Sequence, residues 1–485
     1  MKRKIKEIFS IHEIQNITQS SKNIGNAEAF FAMQGANHDG NDYITEALNN
    51  GAIVVFTNKK ELANERNIYY LEDTRLGFAL AANLLYPSNF ESIIAVTGTN
   101  GKSSVVSYLH QIFSFLRKNS ASLGTLGVES RCKIDIGISP ELTTYDSLSF
   151  FKILSHLSNQ NVNHVIFEAS SHGLEQKRLG DIKISAAGFT SFSQDHLEYH
   201  GNMDNYLEAK MQLFYQHLDV EGQCVINSDM AWYSKIAKKL EKKKIKHFSV
   251  GVNGDLKILF IEGFLEGQKI SYCYLGKNYI LETNIIGSFQ AYNILIAAKL
   301  AHNVIGGDFD KIAFVLNQIT AVKGRMQRVT GIDSDYHVFV DYAHTPDALK
   351  QSLLELKKLK NRAGRLWVLF GCGGQRDKTK REKMGEVAFK LADNIVITDD
   401  NPRGEDPAII RNDIAKSATS AMLIAGRKKA ITETIASLEK DDILLIAGKG
   451  HEDYQIIGNK KIYLSDIEVA TLALAEKNEK CSLDK

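Results

Sequence analysis

The chain has 485 residues, too many for one ordinary hydrophobic core, so two to four domains are expected. Hydrophobic residues make up 44% and charged residues 24%, an ordinary soluble balance, and a net charge of +2 gives no reason to expect bulk nucleic-acid binding. Five widely spaced cysteines (Cys132, Cys224, Cys273, Cys372 and Cys481) with no C-x-x-C pair argue against a disulfide framework or zinc site and fit a reducing compartment.

In chain order, the basic start is interrupted by His12 and Glu13 and lacks the apolar core of a signal peptide. No stretch approaches the roughly 20 apolar residues of a membrane span, so a cytoplasmic protein is expected. Residues 1–90 hold short strand-like runs at 29–33 and 52–56 between Gly/Asn turns. Residues 91–323 open with an apolar strand at 93–97. The apolar run at 165–167 suits a sheet covered on both faces, and helical periodicity follows at 203–216 and 289–300. The basic run 238–246 reads as a solvated helix end. Residues 324–485 repeat the alternation, with strands at 337–340, 366–370, 394–398 and 443–447. The expected fold class is α/β in three domains: a small α/β N-terminal domain, a central parallel-sheet domain of the phosphate-loop ATPase kind, and a C-terminal Rossmann-like domain. Functional loops then belong at the C-terminal ends of the strands.

The strongest local signal is Gly98-Thr99-Asn100-Gly101-Lys102-Ser103-Ser104, between an apolar strand and a helix. Backbone N–H groups of a glycine-rich turn wrap phosphate oxygens, and the helix N-terminus adds a favourable dipole. Lys102 is placed to reach the β/γ-phosphates of ATP and Ser103 to hold Mg²⁺. The pattern is a shortened form of the general G-x-x-x-x-G-K-[ST] loop, with Val96 where that pattern has glycine. Further on, Glu168 ends a strand and opens a turn-rich stretch with Ser170, His172, Gln176 and Arg178, a density of polar chemistry that packing does not explain.

These segments resemble the Mur ligase family. Glu168-Ala-Ser-Ser-His-Gly-Leu, Asp195-His196-Leu-Glu-Tyr-His200-Gly201, Asp341-Tyr-Ala-His344, Gly371-Cys-Gly-Gly-Gln-Arg376, Asp400-Asn401-Pro402-Arg403 and Gly448-Lys-Gly-His-Glu452 follow in the family's order. The resemblance implies ATP-dependent activation of a peptide carboxylate as an acyl phosphate, then capture by an amine. Such chemistry calls for charge neutralisation around phosphate more than for a nucleophilic side chain. It implies catalytic roles for Lys102, Glu168, His196 and Lys210, the last as a carbamate that with Ser103, Glu168 and His196 holds Mg²⁺. It assigns Asn293, Arg325 and Asp341 to ATP beside the phosphate loop. Ser21, Ala36, Asn37, His38, Leu142, Thr143, Thr144, Ser170, Gln176 and Arg178 are assigned to the UDP-sugar peptide. Ser20, Ser191, Gln290 and Gln375 depart from the family's residues at their positions.

The resemblance also bears on the amino acid added. An Arg fork binds carboxylate bidentately, and Asp400-Asn401-Pro402-Arg403 matches family members that add meso-diaminopimelate, which carries a far carboxylate that lysine lacks. Arg376, Gly448 and Glu452 complete the implied pocket, with Glu452 facing the far ammonium. The implied substrates are ATP, UDP-N-acetylmuramoyl-L-alanyl-D-glutamate and meso-diaminopimelate, on a monomer. The rivals are a lysine-adding version, another ligase of the superfamily, or a phosphate-loop NTPase driving a binding function.

Overall fold

Short runs of Val, Ile, Phe and Ala with no polar alternation are buried on both faces, which favours parallel sheet sandwiched by helices. The computed structural model describes residues 1–35, 38–64, 67–131, 142–331 and 334–483. Such runs form the centres of three sheets there, and a two-stranded hairpin, Tyr454–Ile457 with Lys460–Tyr463, makes a fourth. The first has four parallel strands, Asn16–Thr18, Glu28–Phe31, Val54–Thr57 and Ile68–Tyr70, paired in that order. Helices Lys2–His12 and Thr74–Leu85 cover one face, and their apolar residues join one core with Phe150, Phe151 and Leu154 of the next unit.

The second sheet has ten strands. Strand Ser92–Thr97 lies at its centre, parallel to both neighbours, His164–Glu168 and Ile184–Phe189. The loops after these three strands therefore open at one rim. Helices Lys102–Phe115 and Ser288–Ile305 pack together on one face, in a core with Val105, Leu109, Ile294 and Leu295 fully buried. The far edge is an antiparallel meander, Leu256–Phe264, Gly267–Tyr274 and Lys277–Thr283.

The third sheet has six strands. Strand Ile443–Ala447 is inserted between His337–Asp341 and Leu366–Phe370, and Asn394–Ile397 follows on the outside, all parallel. Their C-terminal ends carry Asp341, Gly371, Asp399 and Gly448, where ligand crevices form in such sheets. The third unit is tied to the second through Glu355, which accepts from Ser288 N (2.9 Å) and Ser288 Oγ (2.8 Å). Arg328 Nη1 also donates to the Leu265 carbonyl at 3.0 Å. This is a three-domain α/β fold. Among the described residues no helix is long and apolar enough to cross a membrane.

Several elements differ from expectation. The strand predicted at 29–33 ends at Phe31, because Gly40 N claims the Met33 carbonyl (2.9 Å) for a turn. The helix predicted over 203–216 ends at Gln212 and widens into a π turn, Leu213–His217. The basic run 238–246 is a helix only to Lys242 and then turns into a strand at His247. Helix Lys2–His12 and the meander were not anticipated, the latter because strand–helix alternation stops there. Cys224, Cys273 and Cys372 are free thiols, while Cys132 and the Cys481 side chain lie outside the described residues.

Candidate functional site

Residues 98–101 leave the central strand in a tight turn that needs glycine at two points. Gly98 has φ 147° and a Cβ there would collide with Thr190 Oγ1. Gly101 has φ 87° and its Cβ would stand 2.6 Å from Asn293 Oδ1. The turn is laced to the next strand's loop: Thr99 N donates to the Ser191 carbonyl (2.8 Å) and Asn100 N to Ser191 Oγ (2.9 Å). Ser191 thus has a structural task.

Cations converge on this turn. Lys102 Nζ donates to the carbonyls of Gly98 (3.0 Å) and Thr99 (2.8 Å), and Lys210 Nζ donates to the same Gly98 carbonyl at 2.8 Å. Arg325, from the third unit, donates through Nη2 to Ser103 Oγ at 2.8 Å while its guanidinium lies 4.4 Å from the Tyr342 ring centre. Burial pushes Lys102 below the usual lysine range, opposed by Glu168 and Asp195. Lys210 falls well below it, through burial and the nearby Lys102. Ser104 is buried on the first turn of the same helix. Arg325 Nε and Ser193 Oγ are buried polar atoms with no hydrogen-bond partner among the described residues. Convergent cations, a helix N-terminus and an unpartnered guanidinium N–H are the donor set a polyphosphate requires.

Acidic groups stand beside the cations. Glu168 is 2% exposed and accepts from Thr125 N (Oε1, 2.8 Å) and Thr125 Oγ1 (Oε2, 3.3 Å). His196 Nε2 is 3.3 Å from Asp195 Oδ2, and His196 has a positive φ of 53°, a strained backbone often found at functional sites. Burial lowers the His196 pKa against the pull of Asp195. Burial would raise Asp195, but His196, His344, Lys380 and Lys102 outweigh it and hold it low. Among the described residues no group of three or more His, Cys, Asp or Glu side chains is arranged to hold a metal.

Two residues assigned to ATP are committed within the protein. Asn293 is 6% exposed, stands against Gly101 and donates to Gln290 Oε1 (2.9 Å), which also accepts from Tyr108 OH (3.2 Å). Asp341 accepts from Met326 N (2.6 Å), Ala343 N (2.9 Å) and Ser352 Oγ (3.3 Å), and burial raises its pKa. Its geometry is that of a residue shaping the Arg325 turn.

On the peptide side, Thr144 Oγ1 donates to the Glu168 carbonyl (2.8 Å) and accepts from Ser170 N (2.8 Å). Ser170 Oγ caps a short helix at Gly173 N (3.1 Å), and the Thr143 and Thr125 hydroxyl oxygens lie 3.2 Å apart. Arg178 donates to the Thr144 carbonyl (2.5 Å) and to Gln176 Oε1 (2.8 Å), so these residues form one rim around the Glu168 strand end. Leu142 is exposed beside them. Ser21, whose hydroxyl donates to Glu46 (2.7 Å), and His38 belong to the N-terminal unit. Ala36 and Asn37 lie outside the described residues.

The corner that the resemblance assigns to the incoming amino acid gathers the ends of three strands. Arg403, at φ 52°, donates from Nη1 to the carbonyls of Gly374 (3.0 Å) and Asn401 (3.4 Å), after Pro402. Burial and the neighbouring Arg376 depress its pKa, and Asp400 and Glu452 oppose them. Burial would raise Asp400, but Arg427 and Lys449 hold it below the usual carboxylate range. Gly448 N donates to the Asp341 carbonyl at 3.1 Å, which seats this loop against the next strand. Glu452 Oε2 accepts from Asn401 Nδ2 (3.0 Å) and Lys449 Nζ (2.9 Å). A cavity of about 230 Å³ lined by Thr125, Glu129, Lys323, His451, Glu452 and Tyr454 joins this corner to the Glu168 rim. A larger hollow of about 580 Å³ around Gly426–Glu433 adjoins the corner through Arg427 and Gln455, and Asp399 Oδ2 already caps Gly426 N at 2.8 Å.

Sequence reasoning passed over Lys449 and His451, although both stand inside the Gly448–Glu452 segment. Their signal was a lysine and a histidine spaced by glycine at a strand end.

The fold and site define a class: a three-domain α/β protein whose central sheet carries a phosphate loop and whose third domain delivers an arginine to it. The description "Mur ligase middle domain" matches residues 96–301, "Mur ligase, glutamate ligase domain" 324–450, and "Mur ligase family, catalytic domain" 13–82. A Rickettsia conorii protein named UDP-N-acetylmuramoyl-L-alanyl-D-glutamate–2,6-diaminopimelate ligase is 48% identical over 473 residues, covering 97% of this chain and 98% of its own. A solved structure bearing the same enzyme name superposes with TM-score 0.67 at 29% identity, over 96% of this chain and 95% of that one. MurF ligase from Thermotoga maritima in complex with ADP shares the fold, at TM-score 0.60 and 17% identity, over 96% of this chain and 98% of that one. The chain belongs to the Mur ligase family.

Proposed function

We propose that the protein is an ATP-dependent ligase that joins meso-diaminopimelate to the D-glutamyl carboxylate of UDP-N-acetylmuramoyl-L-alanyl-D-glutamate, a step of peptidoglycan synthesis carried out in the cytoplasm by a monomer. The observation that carries this reading is the meeting of Lys102, Lys210 and Arg325 within hydrogen-bond reach of residues 98–103, from two domains. Its complement is the Arg403–Glu452 corner across the same cleft. Relatives at nearly half identity carry the corresponding enzyme name over almost their whole length.

In this reading Lys102 and Arg325 neutralise the charge that builds on the transferring phosphoryl group, which matters more here than any covalent catalysis. Mg²⁺ keeps several waters and takes few protein oxygens beside phosphate; Ser103 and Glu168, with His196 and Lys210 as carbamate, would hold it, and it would supply further charge neutralisation. Burial and the nearby Lys102 push Lys210 well below the usual lysine range, toward the free amine that adds to CO₂. A carbamate formed there, with release of one proton, would offer an oxygen ligand near His196. Arg178, fixed by Thr144 and Gln176, holds the peptide acid near Glu168. Arg403 and Arg376 take the far carboxylate of the incoming amino acid and Glu452 its far ammonium. Lysine, whose far end carries an ammonium and no carboxylate, would leave Arg403 without its partner, a mismatch such sites reject strongly.

The test is direct: purified protein, the UDP-linked dipeptide, ATP, and either meso-diaminopimelate or L-lysine, with product mass as readout. A mass increase for diaminopimelate is expected. Product with lysine alone would overturn the specificity, and no product with either would overturn the ligase reading.

A further inference from the structure

Lys449 is fully buried, at 0% exposure, in a pocket already holding two arginines, and the reaction as described gives it no task. We infer that Lys449 positions the acceptor pocket and sets its charge, so that a diamino acid with a zwitterionic far end is preferred over one whose far end is only a cation. The inference rests on the ligase reading above and deepens it.

The hydrogen bonds allow one arrangement. Ile456 N donates to Asn401 Oδ1 at 2.9 Å, and a backbone N–H can only donate, so the Asn401 oxygen faces Ile456 and its amide nitrogen faces Glu452. Lys449 Nζ donates to that same Oδ1 (3.3 Å) and to Glu452 Oε2 (2.9 Å), with the Tyr454 ring centre 5.3 Å away. Asn401 Nδ2 and Lys449 thus both bind Oε2, which turns Glu452 Oε1 toward the pocket as the acceptor for a ligand ammonium.

Charge points the same way. Arg403 is destabilised by burial and by Arg376, and is relieved by Asp400 and Glu452. The two carboxylates and two arginines balance; Lys449 tips the pocket positive. The neighbouring Arg427 does not add to this, because Asp466 pairs with it through two contacts of 2.7 Å. A positive pocket favours the acceptor carrying the additional carboxylate. Removing the Lys449 charge shifts preference toward lysine, whereas a merely structural Lys449 would weaken both acceptors equally.

The experiment compares Lys449→Met with the parent protein, full chain, by phosphate release with meso-diaminopimelate and with L-lysine. Expected is a fall of about tenfold or more in the ratio of kcat/KM for diaminopimelate to that for lysine, with KM for ATP little changed. Lys449→Gln, which keeps a donor for Glu452 without charge, is expected to lower the ratio likewise and carries the test if the Met variant does not fold. An unchanged ratio, even with both rates reduced, overturns the inference. Failure of the parent protein to use either amino acid would be a failure of the ligase reading instead.

Discussion

The two corners of the cleft treat charge in opposite ways. Around 98–103, Lys102 and Lys210 both donate to the Gly98 carbonyl, Lys102 depresses Lys210, and Arg325 is close by. Around 400–403 and 448–452, Glu452 meets Lys449 directly and Asp400 is held low by Arg427 and Lys449. The first corner is built to receive a polyanion from outside. The second pairs most of its charges internally, keeps the excess positive charge of Lys449, and discriminates by that charge and by where its remaining donors and acceptors point. Losses in the first corner should therefore appear in the rate, and losses in the second in the choice and affinity of the amine.

The largest effect is expected at Lys102. Lys102→Ala removes a cation from the transferring phosphoryl group and should lower kcat by roughly 10³-fold or more in a phosphate-release assay. Arg403→Ala should raise KM for diaminopimelate by about 100-fold while KM for ATP stays near the parent value. Equal changes in both would erase the division between corners. Arg325→Ala removes one charge-assisted bond to Ser103 and should weaken ATP about tenfold, read by calorimetry.

A smaller effect concerns acid stability. Burial holds His172, His200 and His344 neutral, with pKa values lowered from 6.5 to about 4. Between those values the unfolded chain binds more protons than the native one, so stability falls as pH drops. A melting series should show a falling Tm from pH 6.5 toward 4; a flat series would contradict the burial of these rings. Least is expected from Ser21→Ala, which removes one hydrogen bond to Glu46 and should cost about 1 kcal/mol of stability.

The same contrast explains what could be read in advance. The phosphate loop is contiguous, so its glycines, Lys102 and Ser103 were visible as a motif, and the strand before it as an apolar run. The amino-acid corner is assembled from the ends of strands Leu366–Phe370, Asn394–Ile397 and Ile443–Ala447, whose spatial order departs from chain order. Its members could be named only through the family resemblance. Lys449 escaped because a lysine between glycines is usually solvated, and nothing local announces that Asn401 and Glu452 close over it. Asp341 shows the converse: the resemblance assigned it to ATP, but the Met326 and Ala343 N–H groups donate to its carboxylate. The meander 256–283 fell outside strand–helix alternation; its strands are consecutive hairpins turning at Leu265-Glu266 and Leu275-Gly276, and only the second turn carries a hairpin glycine.

Phosphate release measured while each substrate is omitted in turn tests the central claim most directly. The account predicts sustained turnover only when ATP, the UDP-linked dipeptide and diaminopimelate are all present. Sustained phosphate release from ATP alone, unchanged by adding the other two, would contradict it.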